Sequence, residues 1–356
     1  MKRAGFLIEQ IAEYENLLHA FHKAQSGKEG KNEVIIYRND LQDNLSELRE
    51  ELLAGKVSVG DYYQFKIFDP KERVVCAAAF RERVLHHALM NICAPIFEKQ
   101  FIATTCANRT GKGVYYAINY AMKGMKNHSY VAKMDIRKYF DSIDHDILSG
   151  KLKHIFKDRR LTGIFDRIID SYCVETGKGV PIGNLTSQYF ANYYLSSLDH
   201  YIKEVLHVPI YVRYMDDMLL FENDKIRLKE VIRQVEKYLL EELHLDLKFA
   251  IVNSTISSTS FLGYRLSRNR IGLTSRSKRR FRNKFTIIDR QLSQDQITES
   301  DAQNSAVPLF TFVKHAYTKQ YRYRVISEVT NRKRLQPRES RRQLEQQCAE
   351  LPSCQS

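Results

Sequence analysis

Residues 211–221 read Tyr211-Val212-Arg213-Tyr214-Met215-Asp216-Asp217-Met218-Leu219-Leu220-Phe221. Two adjacent carboxylates stand between two apolar, strand-like runs, the pattern of a hairpin with acidic ligands at its tip. Upstream, Asp135 closes another apolar run, Tyr130-Val131-Ala132-Lys133-Met134, just before a helix-like segment. Three carboxylates on two strand ends form a cage for two divalent cations. Such groups raise one another's pKa when crowded, so their clustering is costly unless cations bind. An ordinary polar turn is the bland reading of Asp216-Asp217. The strand-like flanks and the distant Asp135 weigh against it.

Working outward, Leu41, Leu45, Leu48 and Leu52 recur at helical spacing and predict an amphipathic helix over 40–54. Residues 55–68 read as a short strand pair and 81–97 as a mostly buried helix. The pattern then turns mixed: a strand at 130–135, helices at 144–157 and 160–173, a glycine-rich turn at 177–184 and one long helix at 185–206. The hairpin strands fall at 209–214 and 217–222, a helix at 225–243, and strands at 245–252 and 259–266. A polar linker is expected around 291–306, within a basic, helical remainder. This order suits an α+β class.

The chain has 356 residues, 43% of them hydrophobic, enough for a substantial core. Its formal charge of +14 is concentrated. Residues 276–290 hold seven Lys/Arg against one Asp, and 314–342 hold ten against two Glu, so the remainder is neutral on balance. Tyr317, Tyr321 and Tyr323 interleave with Arg322 and Arg324 in the second stretch. Basic side chains reach phosphates and aromatic rings stack on bases, so nucleic acid is the natural partner, ahead of a membrane surface or an acidic protein. No run approaches the eighteen or so apolar residues of a membrane span, and Met1 to Gln10 lacks the apolar stretch of a leader. Cysteines 76, 93, 106, 173, 348 and 354 show no C-x-x-C pairing. Unpaired thiols in the cytoplasm, with no membrane partner, are expected.

Asp135 with Tyr139-Phe140-Asp141, then Val180-Pro181-Ile182-Gly183-Asn184-Leu185-Thr186-Ser187-Gln188, Tyr214-Met215-Asp216-Asp217 and Phe261-Leu262-Gly263-Tyr264, resemble the ordered motifs of reverse transcriptases. The similarity covers roughly residues 60–270. Ile182-Gly183 and Ser187-Gln188, where most of the family has Gln-Gly and Ser-Pro, resemble the branch found in bacterial and phage diversity-generating retroelements. Arg81 to Leu89 and Cys106 to Gly113 fit the same branch.

The resemblance implies a right-hand polymerase: an N-terminal helical extension over 1–60, fingers and palm elements over 61–130 and 150–190, palm over 131–149 and 191–266, and a basic helical thumb and tail over 267–356. It implies RNA-directed DNA synthesis with two Mg²⁺, for which Mn²⁺ can substitute. Asp135, Asp216 and Asp217 match the metal triad, with the Ile136 carbonyl an extra ligand. On a strand, successive side chains point to opposite faces, so Asp216 is expected to meet both ions and Asp217 fewer. Phe140 matches the gate that excludes a 2′-hydroxyl, and a core Phe is its bland alternative. Arg73 matches the arginine on the incoming triphosphate, a role suited to a planar multidentate donor. Arg73, Arg81 and Arg83 have an alternative role in capping or ion-pairing with Glu72 or Glu82. Lys248 corresponds to the lysine that protonates departing pyrophosphate, or is a solvated strand lysine. Ile182, Gly183, Gln188 and Tyr214 line the substrate site, and Phe261 to Tyr264 resembles the primer grip. The implied partners are dNTPs, template RNA, cDNA or primer, and a small basic ring-forming accessory variability protein.

His86-His87 read as packing residues, Asp144-His145-Asp146 as a helix start, and Gly111-Lys112-Gly113 as a poor phosphate cradle. A group II-like or defence-associated reverse transcriptase, and a non-catalytic RNA-binding maturase, are the competing readings.

Overall fold

The computed structural model describes residues 5–68 and 72–335. The cysteines at 348 and 354 and the basic residues after 335 lie outside the described residues. The chain divides into two compact units, 1–257 and 258–356.

The first unit opens with four helices, α1 (Ile8–Ile11), α2 (Tyr14–Gln25), α3 (Asn32–Asn39) and α4 (Leu41–Ala54). Leu45, Leu48 and Leu52 form the buried stripe of α4 that their spacing predicted. An antiparallel ribbon follows, β1 (Tyr62–Phe68) paired with β2 (Glu72–Ala78). The predicted strand pair within 55–68 is therefore incorrect: only its second half is a strand, and the partner comes from 72–78. Next come α5 (Phe80–Glu98), α6 (Val114–Asn127), β3 (Tyr130–Ile136), a 3₁₀ turn (Tyr139–Ser142), α7 (His145–Ile155), α8 (Arg159–Asp170) and α9 (Leu185–Tyr194). A short helix, α10 (Ser196–His200), runs into a π turn (Tyr201–Val205), so the single helix expected over 185–206 is broken in two places. The unit closes with β4 (Ile210–Tyr214), β5 (Asp217–Glu222), α11 (Lys225–Leu243) and β6 (Leu247–Ser254).

Strands β3 to β6 form one antiparallel sheet in the order β4-β5-β3-β6. Its two faces are covered separately. Ala132, Met134, Ile136, Tyr211, Met218 and Leu220 point into a large apolar core shared with the N-terminal helices, α5, α7 to α9 and α11. Val131, Val212, Leu219 and Phe221 alternate to the other face and are buried against α6 with Ala117, Ile118, Ala121 and Met125. Gly124 makes that approach possible. A Cβ there would lie 2.5 Å from the Phe221 ring.

The second unit holds a three-stranded sheet, β7 (Thr259–Phe261), β8 (Tyr264–Ser267) and β9 (Arg270–Leu273), and three helices, α12 (Ser275–Ser293), α13 (Glu299–Lys314) and α14 (Lys319–Leu335). The strand expected over 259–266 is a hairpin that turns at Leu262-Gly263, both with positive φ. The linker expected at 291–306 is mostly helix. Thr298 and Asp301 close a reciprocal capping box that starts α13, so polarity alone misread a helix start. Among the described residues no helix is long and apolar enough to cross a membrane. Cys76, Cys93, Cys106 and Cys173 are free thiols.

Candidate active site

The β4–β5 pairing leaves a two-residue turn, Met215-Asp216, between the partners Tyr214 and Asp217. Met215 takes a left-handed backbone (φ 54°). Because Asp216 sits in the turn and not on a strand, strand alternation does not part it from its neighbour. Asp216 lies close enough to Asp135 and Asp217 for their negative charges to raise its pKa. Asp217 Oδ1 lies 3.9 Å from the ammonium of Lys133, which shares the Asp135 face of β3. The structure thus brings Asp135, Asp216 and Asp217 together at one end of the sheet.

Lys248 reaches the same place through a bulge. The β3–β6 register jumps between Asp135↔Phe249 and Ile136↔Leu247, leaving Lys248 unpaired in the ladder. Bulges re-aim side chains, and here the ammonium pairs with Asp135 Oδ2. Burial and the neighbouring Asp135 and Asp217 carboxylates push Asp216 up to about 6. Burial also raises Asp217, and Lys133 partly offsets this.

These residues fit a divalent cation of the Mg²⁺ class, which takes carboxylate oxygens. Among the described residues no three His, Cys, Asp or Glu side chains are already closed around a single point. The Lys248 and Lys133 ammonium groups lie against Asp135 and Asp217. The raised Asp216 gives this fit a testable sign. Its protonated form is favoured in the folded chain, so its contribution to stability is present below about 3.8 and lost as pH rises through about 6. A divalent cation reverses that loss by binding the ionised form. At a tenfold excess over Kd, Mg²⁺ is expected to raise Tm by about 2–4 °C at pH 7.5 and much less at pH 5. A shift of equal size at both pH values in a thermal melt would contradict this.

Beneath the hairpin lies a feature that the sequence reading missed. Arg213 alternates to the face opposite the carboxylates and is fully buried with Asp199 of α10. Its Nε and Nη2 donate to the two Asp199 oxygens at 2.7 and 2.5 Å. Its Nη1 donates to Asn192 Oδ1 at 3.0 Å and to the Met215 carbonyl at 3.1 Å. Nη2 also donates to the Asn192 carbonyl at 3.1 Å. Tyr211 and Thr105 donate to the same carboxylate at 2.7 Å each. Burial disfavours the guanidinium charge, but Asp199 outweighs it and holds the pKa up. An ionisable residue inside an apolar strand run was the available signal.

The other expected site residues lie on several separate elements. Phe140 lies in the 3₁₀ turn, half-buried against the core, and its carbonyl accepts from the Val180 N–H at 2.9 Å. The Ile182 carbonyl accepts from Cys76 N at 2.8 Å, which ties this loop to β2. Gly183 has φ +123°, and a Cβ there would lie 2.9 Å from Val75 Cγ1, so glycine is required on both counts. Arg73 is exposed on the same ribbon face as Val75. Arg81 and Arg83 are held instead by Glu51 and Glu33, so their role in the fold is ion pairing, with partners other than the Glu72 and Glu82 expected. Gln188 and Tyr214 are half-buried on α9 and at the end of β4. Ile136 follows Asp135 with its side chain buried. Phe261 to Tyr264 lie in the second unit, where Gly263 O accepts from Ser277 Oγ at 2.7 Å.

A family model described as reverse transcriptase (RNA-dependent DNA polymerase) matches residues 69–266. Protein YkfC of Escherichia coli K12 is 24% identical over 297 residues, covering 68% of this chain and 76% of that protein. The group II intron-encoded protein LtrA of Lactococcus lactis subsp. cremoris is 22% identical over 200 residues, 52% of this chain and 33% of LtrA. This chain therefore spans only a third of that relative. Among solved structures, apo telomerase from Candida tropicalis superposes with a TM-score of 0.51 at 12% identity, covering 82% of this chain and 66% of the telomerase chain.

Proposed function

The chain belongs to the reverse transcriptase family, and from that premise we propose that it is an RNA-directed DNA polymerase that makes error-prone cDNA from a retroelement RNA. Its α+β architecture is the right-hand polymerase fold of fingers, palm and helical thumb. The observation that carries the activity is the meeting of Asp135 with Asp216 and Asp217.

In this reading the three carboxylates and the Ile136 carbonyl hold the two Mg²⁺ ions, with Mn²⁺ as a substitute. When bound, the ions supply the Lewis acidity that activates the primer 3′-hydroxyl and neutralises the pyrophosphate charge. The chain's own residues do the rest. Arg73, exposed and without an acidic partner among the described residues, binds the incoming triphosphate. In the same reading the Phe140 ring blocks a 2′-hydroxyl, while Gly183, Gln188 and Tyr214 border the nucleotide. Lys248 carries the proton for the departing pyrophosphate. Template RNA, primer or cDNA, dNTPs and a small basic ring-forming accessory protein are the partners, inside the cell. A defined RNA with an annealed DNA primer, dNTPs and Mg²⁺ should yield extension. No product with Mg²⁺ or Mn²⁺, with or without the accessory protein, removes the activity.

Mutagenic copying rests on Ile182. An amide there can hydrogen-bond near the nascent pair, whereas isoleucine offers bulk alone, so selection falls back on shape. The resemblance to the diversity-generating branch implies errors opposite template adenine, and Ile182→Gln or Ile182→Asn is expected to lower them roughly three- to tenfold, the worth of one hydrogen bond. Sequenced cDNA with an unchanged adenine error frequency would refute this. A wild type without elevated errors at adenine would favour the second reading, an intron-type reverse transcriptase, which the likeness to LtrA supports.

A further inference from the structure

We propose that the outer face of α6 is a binding track for single-stranded RNA, on the same side of the palm sheet as the carboxylates. The inference rests on the polymerase reading and names a binding surface for its template.

The first observation is compositional. From Lys99 to Met134 the chain has no Asp or Glu, but it has Lys99, Arg109, Lys112, Lys123, Lys126 and Lys133. This local surplus is hidden when the charge outside the two basic C-terminal stretches is summed to zero. Arg109 is neutralised by Glu98 and Lys133 faces Asp217. Among the described residues, Lys112, Lys123 and Lys126 have no acidic partner.

The second observation is geometric. Tyr116, Tyr120 and Lys123 follow one another at helical spacing along one side of α6, and Lys112 stands just before its first turn. The Lys112 ammonium lies 3.9 Å from the Tyr116 ring centroid. The Tyr116 and Tyr120 rings are nearly parallel, 6.3 Å apart and inclined by 9°. Lys123 closes the row 5.6 Å from Tyr120. From Tyr116 to Lys123 the row extends about 10 Å along the helix, and Tyr115, 37% exposed, stands beside it. Two ring faces flanked by cations match a strand that offers unpaired bases and phosphates.

The third observation is placement. Gly124, on the buried side of α6, packs on Phe221. Phe221 pairs with Val131 and lies on the face shared by Leu219, Lys133 and Asp135. The row is therefore carried on the catalytic side of the sheet, while α11 packs on the opposite side with Leu228, Val231 and Val235 in the large core. A template strand leaving the carboxylates on that side meets α6 and not α11. The row also gives Gly111-Lys112-Gly113 a use: Gly113 (φ +95°) turns the chain into the helix directly after Lys112.

The test uses the full chain and a fluorescent 20-nucleotide RNA without secondary structure, in buffer free of Mg²⁺ and dNTPs. Lys112→Ala with Lys123→Ala should weaken binding at least several-fold. It should also reduce the magnitude of the log Kd against log salt slope by about 1.4, since each phosphate no longer neutralised accounts for about 0.7. Tyr116→Ala with Tyr120→Ala should weaken binding about tenfold with little change in slope. Lys225→Ala with Lys229→Ala, on α11, should bind as the wild type does. Circular dichroism and Tm establish that each variant is folded. In primer extension, the α6 variants should raise KM for template and leave kcat for a single addition unchanged. Wild-type affinity and salt slope in the Lys112/Lys123 variant overturns the inference. So does an equal loss in the α11 pair, or capture of an acidic protein with RNA binding unaffected. The binding result stands however the wild type performs in extension, so failure of this surface and failure of the polymerase reading are told apart.

Discussion

Asp216→Asn is expected to reduce primer extension at least 100-fold, because even residues that only support metal ligands cost 10- to 100-fold when changed. The substitution keeps the shape of the side chain and removes its charge. Asp216 is pushed up to about 6 by burial and by its two acidic neighbours, so its ionised form is a burden on the folded chain at pH 7.5 when no cation is bound. Without Mg²⁺ the Asn variant should therefore melt no lower than the wild type at that pH, and the Mg²⁺-dependent rise in Tm should largely vanish. Loss of activity with an intact fold is the signature of a catalytic carboxylate. Residual extension within threefold of the wild type would rule out the triad as the site of chemistry.

The second large effect is expected at Arg213 and Asp199. Each is fully buried, and each satisfies the other. Removing one partner strands a charge in the core, which costs about 3–5 kcal/mol. Asp199→Ala and Arg213→Met alone should both unfold at markedly lower urea concentration. The double variant Asp199→Leu with Arg213→Met removes both charges and should recover most of that stability, as apolar replacements of buried ion pairs often do. Its extension should nevertheless stay low. The Met215 carbonyl no longer has the donor that holds a left-handed turn, a conformation that costs a non-glycine residue about 1 kcal/mol or more, and the two aspartates ride on that turn. A refolded double variant with wild-type extension would show that the pair serves the core alone.

Where local chemistry decided the outcome, the sequence could be read. The 225–243 stripe, the leucines of α4 and the strand at Asp135 carry their periodicity openly, and the paired acids between apolar runs announced the hairpin. The failures have physical causes. The segment 185–206 is helical in composition throughout, and its break into a π turn depends on how it packs. The turn at Leu262-Gly263 was hidden inside an apolar run because a hairpin tip can be apolar when its carbonyl is held, here by Ser277 and Thr274. The capping box at Thr298 was legible and overlooked. Helix α6 was also legible, since Ala117, Ile118, Ala121 and Met125 recur at helical spacing. The meeting of Lys248 with Asp135 was beyond reach, because a one-residue bulge leaves no mark in the order of residues. Asp199 is likewise an unremarkable helical acid until Arg213 is placed on it.

The two apolar layers on either side of the sheet do not merge, and that separation bears on how such a molecule can drift in sequence. Volume-conserving swaps among Val131, Leu219 and Phe221 are tolerated best in packed interiors, and here they would reseat one helix while the larger interior keeps its own packing. If α6 carries the template as proposed, affinity for that strand can then be tuned over generations almost independently of foldability.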